Sequence, residues 1–147
     1  MRDRAILLVE DNPDDELLAL RALRKNGVGS DVVVAHDGVE ALDYLFATGE
    51  HADRDASFVP RLILLDLNLP KISGLEVLRR LRSDERTRLL PVVILTSSRE
   101  RSDVLEGYGL GANSYVRKPV NFEQFVNAIE QLKRYWLILN ETPPSLV

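Results

Sequence analysis

The stretch LILLDLNLPKISG, residues 62–74, joins a buried strand to a carboxylate. Its four successive aliphatic residues, 62–65, predict a strand covered on both faces, as strands of parallel sheets are. Asp66 follows directly, and Asn68 and Pro70 then indicate a turn. Asp66 is therefore either a turn residue or a functional carboxylate, and what lies beside it in the fold decides which.

Four other short apolar runs predict strands, at residues 5–9, 31–35, 92–95 and 114–116. Amphipathic stretches alternate with all five runs, which predicts βαβ units with right-handed crossovers. We therefore expect an α/β fold, a five-stranded parallel sheet with helices on both faces.

The helices are predicted from apolar spacing and from their terminal residues. The first runs over 14–26, with Asp14 or Asp15 as its cap, and stops at Gly27; the last starts at 122 after Asn121. Glycines interrupt the helix at 99–110, so we expect it to be short and mobile. The connection 48–61 is long, polar and predicted to be exposed.

Composition excludes several classes of protein. The chain has 147 residues, 45% of them hydrophobic, which fits one soluble domain. A net charge of −4 argues against a nucleic-acid-binding face, and the absence of cysteine excludes disulfide and thiolate chemistry. No apolar run is long enough for a membrane span or a signal peptide. We expect a cytoplasmic protein.

Polar residues follow four of the five predicted strands. In an open parallel sheet, ligands bind at the carboxyl ends of the strands, so these residues are expected to share one edge. They are Glu10, Asp11, Asp66, Thr96 and Lys118.

Each of these residues also has an ordinary structural interpretation. Glu10 and Asp11 suit a turn or a cap, Asp66 suits an Asx turn, and Thr96 suits a helix cap. A lone lysine such as Lys118 is usually solvated, and Tyr115 alone is more often a core residue. Their joint order and their positions after successive strands favour a functional site.

The ordered motifs LLVEDN, LLDLNLPKISG, ILTSS and YVRKP resemble those of the receiver domain of two-component response regulators. Within that family, the connection 48–61 and the tail KRYWLILNETPP look most like single-domain regulators of phytochrome-type histidine kinases. The resemblance implies one receiver domain over 1–147, with a core of about 4–134 and a C-terminal extension at 135–147. It also implies the strand order 2-1-3-4-5.

The resemblance implies roles for the edge residues. Asp66 would accept a phosphoryl group, and Lys118 and Thr96 would bind its oxygens. Mg²⁺ would be held by Asp11 and Asp66 directly, by Glu10 through water and by the backbone carbonyl of Asn68, all of them hard oxygen donors. Thr96 and Tyr115 would form a conformational switch. The Lys118–Pro119 bond would be cis.

The expected partner is a sensor histidine kinase, with a phytochrome-like kinase as the specific candidate. For this protein we expect no DNA-binding domain and no membrane contact. The final helix, expected to run from 122 to 139, carries Tyr135 and Trp136 as candidate anchors of a homodimer. The alternative is that Trp136 folds back on its own domain.

Two other functions remain open from the sequence. One is a binding module that keeps the receiver fold without being regulated by phosphorylation. The other is an aspartate-nucleophile phosphatase, although no further base or substrate pocket is evident. We expect a phosphoacceptor with intrinsic Mg²⁺-dependent autophosphorylation and autodephosphorylation rather than a conventional enzyme.

Overall fold

The computed structural model describes residues 6–55 and 59–144. Its five strands are all parallel and lie in the order β2-β1-β3-β4-β5, which confirms the predicted fold class and strand order. They are β1 (Ile6–Val9), β2 (Val32–Ala35), β3 (Leu62–Leu65), β4 (Val92–Thr96) and β5 (Ser114–Arg117). Ala5, which was predicted to start the first strand, lies outside the described residues.

Five α-helices connect and follow these strands. They are α1 (Pro13–Lys25), α2 (Gly38–Phe46), α3 (Gly74–Ser83), α4 (Arg101–Gly109) and α5 (Phe122–Leu132). The first cap differs from the prediction, because Asn12 rather than Asp14 or Asp15 caps α1. The Asn12 side chain accepts from the backbone N–H groups of both aspartates, and Pro13 fills the first helical position.

The sheet separates two hydrophobic layers, as the alternation of side chains along a strand requires. Leu7, Ile63 and Leu65 face the layer that includes α2 and α3. Ile6, Leu8 and Leu64 face the layer that includes α1 and α5. Both layers are buried, so β1 and β3 are rigid supports for whatever follows them.

The C-terminal segment departs from the predicted continuous helix. After Leu132 the α-helix widens into a π-helix, Lys133–Leu139. This segment is tied to the rest of the domain, because Lys133 Nζ donates to the Asn26 carbonyl oxygen at 2.9 Å and Arg61 Nη2 to that of Leu137 at 2.6 Å. Trp136 packs, half-buried, against the core layer of α1 and α5. Tyr135, Ile138 and Leu139 are 51%, 67% and 73% exposed.

Within the described ranges, no helix combines the length and the apolar character that crossing a membrane would need.

Candidate functional site

The candidate site lies at the carboxyl edge of the sheet, where backbone hydrogen bonds extend the strand ladder by one residue. The Asp66 N–H donates to the Val9 carbonyl at 3.1 Å, and the Lys118 N–H donates to that of Thr96 at 2.8 Å. The Glu10 N–H donates to the Ala35 carbonyl at 2.9 Å. The residues that follow β1, β3 and β5 are thereby fixed by the sheet itself.

Three carboxylates converge at this edge. Oxygen atoms of Glu10, Asp11 and Asp66 lie within 4.8 Å of one another, with Glu10 and Asp66 buried and Asp11 exposed. A group of hard oxygen donors that combines buried negative charge with an open side suits a divalent cation such as Mg²⁺. Asn68 is exposed in the loop just beyond Asp66.

Lys118 supplies the positive charge of the site. Its Nζ lies 2.6 Å from Glu10 Oε1 and 3.1 Å from Asp66 Oδ2. A third carboxylate, Asp15 Oδ2, lies at 2.9 Å. The lysine side chain is only 9% exposed, so these contacts are short and largely shielded from water.

The environment shifts the pKa values of both Glu10 and Lys118. Burial, together with the nearby charge of Asp66, raises the pKa of Glu10 to about 7, and the hydrogen bond from Lys118 only partly opposes this. Burial alone would lower the pKa of Lys118, but its hydrogen bonds to Glu10 and Asp15 outweigh that effect and raise it. These hydrogen bonds therefore favour the charged form of the lysine.

Asp15 is a site residue that the sequence analysis missed. The apolar pattern placed it at a helix start, where an aspartate is expected to serve as a cap. Its position in the first turn after β1, within reach of the edge of the sheet, was the available signal. The contact with Lys118 depends on the direction in which the first turn of α1 points, which spacing alone does not give.

Asp66 also has the ordinary structural role suggested by the sequence, that of an Asx-turn residue. Its Oδ1 accepts from the Asn68 N–H at 3.3 Å, while its Oδ2 contacts Lys118. Glu10 behaves in the same way, since its Oε2 accepts from the Asn12 N–H at 3.2 Å. One oxygen of each carboxylate orients the loop and the other faces the lysine.

The predicted cis bond between Lys118 and Pro119 is wrong. The described part of the chain contains no cis peptide bond, so this bond is trans. The trans form is the intrinsic preference of X–Pro bonds by about 0.5–1 kcal/mol. With this bond trans, Lys118 contacts all three carboxylates.

Thr96 and Tyr115 lie on the neighbouring strands β4 and β5. Thr96 is fully buried at the end of β4. The Tyr115 ring is half-buried, and its hydroxyl donates to the Ser98 carbonyl oxygen at 3.1 Å. Gly107 of α4 faces these strands, since an added Cβ there would lie 2.7 Å from Ile94 Cδ1 and 3.6 Å from the Tyr115 ring. Gly107 is thus needed for close packing of α4.

Gly74 holds the loop that follows Asp66. An added Cβ at this position would lie 2.2 Å from the Asp66 carbonyl oxygen, far inside van der Waals contact.

We therefore expect Gly74→Ala to lower the free energy of unfolding by about 1–3 kcal/mol, as overpacking does. Chemical denaturation measures this change. Gly109→Ala is the control, because its added methyl group meets nothing within 4 Å. Equal effects of the two substitutions would contradict the crowding at Gly74.

The fold and this edge of the sheet match one known family. The family model for the response regulator receiver domain matches residues 6–130. The chain therefore belongs to the response regulator receiver domain family, as its motifs predicted.

Three known proteins illustrate the similarity. The chain is 42% identical over 138 residues to the probable methanogenesis regulatory protein FilR2 of Methanothrix harundinacea, covering 94% of this chain and 86% of FilR2. The phosphorylated cyanobacterial phytochrome response regulator RcpA superposes with a TM-score of 0.87 at 38% identity, covering 97% of this chain and 100% of RcpA. The Mn²⁺-bound form of response regulator Rcp1 superposes with a TM-score of 0.85 at 33% identity, covering 96% and 99% of the two chains. Rcp1 comes from a Synechocystis strain.

The chain is thus a receiver domain related to the phytochrome response regulators. Its group of three carboxylates, together with the Mn²⁺-bound state of Rcp1, is consistent with binding of a divalent metal.

Proposed function

We propose that this protein receives a phosphoryl group on Asp66 from a histidine kinase and signals by changing conformation. The observation that carries the proposal is the contact of Lys118 with Asp66 inside a group of three converging carboxylates. Such a group suits phosphoryl transfer, which requires positioning and charge neutralisation more than covalent chemistry. The similarity to RcpA, whose structure is of a phosphorylated protein, also supports it.

The proposed reaction takes place at one carboxylate oxygen of Asp66. This oxygen attacks phosphorus and forms a P–O bond, while the bond between phosphorus and the donor atom breaks. The departing group keeps the bonding electrons and takes a proton from solvent. Lys118 then binds the phosphoryl oxygens, and the Thr96 hydroxyl donates to one of them.

We propose that Asp11 and Asp66 bind Mg²⁺ directly, with Glu10 acting through water and Asn68 through its backbone carbonyl. When bound, the ion would neutralise charge on the carboxylates and on the incoming phosphoryl oxygens. The alternation of buried and exposed carboxylates supports this assignment, because the exposed Asp11 leaves a route for a hydrated ion.

The proposed switch joins Thr96 and Tyr115. A phosphoryl group on Asp66 would draw the Thr96 hydroxyl toward it, allow the Tyr115 ring to turn and shift α4. The hydrogen bond from Tyr115 to Ser98 supports this coupling, because it links β5 to the loop that precedes α4.

Thr96→Val tests the switch, because valine has the shape of threonine and lacks the hydroxyl group. We expect a phosphoryl mimic to move the amide NMR signals of α4 in the wild type but much less in this variant. Equal shifts in both proteins would contradict the mechanism.

The proposed partner is a sensor histidine kinase, with a phytochrome-like kinase as the specific candidate. The similarity to RcpA and Rcp1 supports this choice, since RcpA is described as a phytochrome response regulator.

We also propose a homodimer formed through the C-terminal segment. Trp136 packs on its own domain, which the sequence analysis held as the alternative, so the exposed anchors are Tyr135, Ile138 and Leu139. Large apolar side chains that remain exposed within one short segment are candidates for an interface. The dimer should dissociate in Ile138→Glu, and Leu89→Glu is the control at an exposed aliphatic residue elsewhere in the chain. Sedimentation velocity at tens of micromolar protein measures the oligomeric state of both variants and of the wild type. A wild type that is monomeric both with and without a phosphoryl mimic would rule out the dimer.

Incubation with acetyl phosphate and Mg²⁺ tests the main proposal against the two other functions. We expect the intact mass to rise by one phosphoryl group, and EDTA to prevent the gain. An unmodified protein would favour a binding module that does not use phosphorylation. Rapid multiple turnover of acetyl phosphate without accumulation of the modified form would favour a phosphatase.

A further inference from the structure

Every N–H of the Lys118 ammonium group is directed at a carboxylate. An ammonium group has three donors, and the Lys118 group has three acceptors: Glu10 Oε1 at 2.6 Å, Asp15 Oδ2 at 2.9 Å and Asp66 Oδ2 at 3.1 Å. In this state the lysine has no donor left for a phosphoryl oxygen. The contact with Asp66 can pass to one phosphoryl oxygen on the same side chain, but a further phosphoryl contact requires that Glu10 or Asp15 share or release its donor.

The three acceptors differ in the cost of losing the lysine. Glu10 is buried, so its release would leave an unpaired charge away from water. Asp66 carries the phosphoryl group itself. The side chain of Asp15 is 37% exposed, so water can replace the lysine as its partner. Asp15 is therefore the acceptor that is released most easily.

We infer that Asp15 is a positioning residue that holds Lys118 in the unphosphorylated protein and gives it up to the phosphoryl group. The inference rests on the proposed function and adds that Asp15 and the phosphoryl group compete for Lys118. The free energy of the contact between Asp15 and Lys118 opposes phosphoryl binding and sets how strongly the unmodified state is favoured. Removing the Asp15 carboxylate frees one lysine donor and favours the phosphorylated state.

Asp14 provides a matched control for Asp15. Both aspartates lie in the first turn of α1, and both donate their backbone N–H to the Asn12 cap. Asp14 is exposed and is not one of the acceptors of Lys118. Asp14→Asn and Asp15→Asn therefore remove the same charge from the same helix turn, but only Asp15→Asn removes a charge that the lysine contacts.

The test measures the affinity for beryllofluoride, a phosphoryl mimic, by calorimetry in saturating Mg²⁺. We expect Asp15→Asn to bind about tenfold more tightly than the wild type, the equivalent of one modest hydrogen bond between charged groups. Asp14→Asn should stay close to the wild type. Asp15→Glu, which keeps the carboxylate, should restore most of the wild-type affinity.

A second titration, with Mg²⁺ alone, distinguishes an effect of the substitution on Lys118 from an effect on metal binding. The affinities of Asp14→Asn and Asp15→Asn for Mg²⁺ should be equal. Equal beryllofluoride affinities for these two variants would overturn the inference while leaving the proposed function intact. If Asp15→Asn binds beryllofluoride more tightly but also binds Mg²⁺ more tightly by the same factor, the inference would also be overturned. Failure of the wild type to bind beryllofluoride with Mg²⁺ would instead contradict the proposed function, and the inference with it.

Discussion

Lys118→Ala is expected to lower the free energy of unfolding of the metal-free protein by about 3–5 kcal/mol, because it removes the cation from a buried charge cluster. The variant leaves Glu10 and Asp66 close together, buried, and without the ammonium group that contacts both. Urea denaturation with EDTA present measures the loss. Addition of Mg²⁺ should restore part of it, since a bound ion stabilises the folded state.

The control for this substitution is Lys71→Ala. The Lys71 side chain is 65% exposed, and its Nζ lies 3.4 Å from Oδ2 of Asp37, so the lysine end of this ion pair is open to solvent. Surface pairs of this kind contribute about 0–1 kcal/mol. If Lys118→Ala lowers the free energy of unfolding by as little as Lys71→Ala does, Lys118 does not stabilise the buried carboxylates.

The loss in Lys118→Ala should depend on pH. In the wild type the pKa of Glu10 is about 7, and the hydrogen bond from Lys118 restrains it from rising further. Without that bond, the folded-state pKa of Glu10 rises further above its unfolded value. A carboxyl group of this kind favours the folded state while protonated and loses that contribution as the pH rises through its folded-state pKa. The difference between wild type and variant should therefore grow as the pH increases above about 7.

Asp66→Asn is expected to abolish phosphorylation by acetyl phosphate while preserving the fold. The amide group has nearly the size of the carboxylate, but it is a poor nucleophile. The substitution also removes one negative charge from the three converging carboxylates, so we expect no large decrease in the free energy of unfolding. Intact-mass measurement over time compares the variant with Asp53→Asn, an exposed aspartate in the connection before β3. Undiminished labelling of Asp66→Asn would show that another residue accepts the phosphoryl group.

The positions of Glu10, Asp66 and Lys118 could be predicted because each directly follows a strand. Short apolar runs identified β1, β3 and β5, and a parallel sheet brings the carboxyl ends of its strands to one edge. The strand ladder then fixes the backbone of each residue. Strand position was therefore enough to predict that these three residues lie at one edge of the sheet.

The features that were missed depend on geometry that the pattern does not contain. The contact of Asp15 depends on how the first turn of α1 faces Lys118. The widening of the last helix at Lys133 is a change of hydrogen-bond register, which the spacing of apolar residues does not specify. The contact of Arg61 with Leu137 joins residues far apart in the chain, and it helps to place Trp136 against its own core.

The residue that carries the phosphoryl group is the central claim, and peptide mapping of the phosphorylated wild type tests it most directly. Borohydride reduction of an acyl phosphate marks the modified acid permanently, so that mass spectrometry of the peptides can locate it. The proposed function predicts that the mark lies on Asp66 and does not form when EDTA is present during the phosphorylation reaction. A mark on Glu10, Asp11 or Asp15, with Asp66 unmodified, would contradict it.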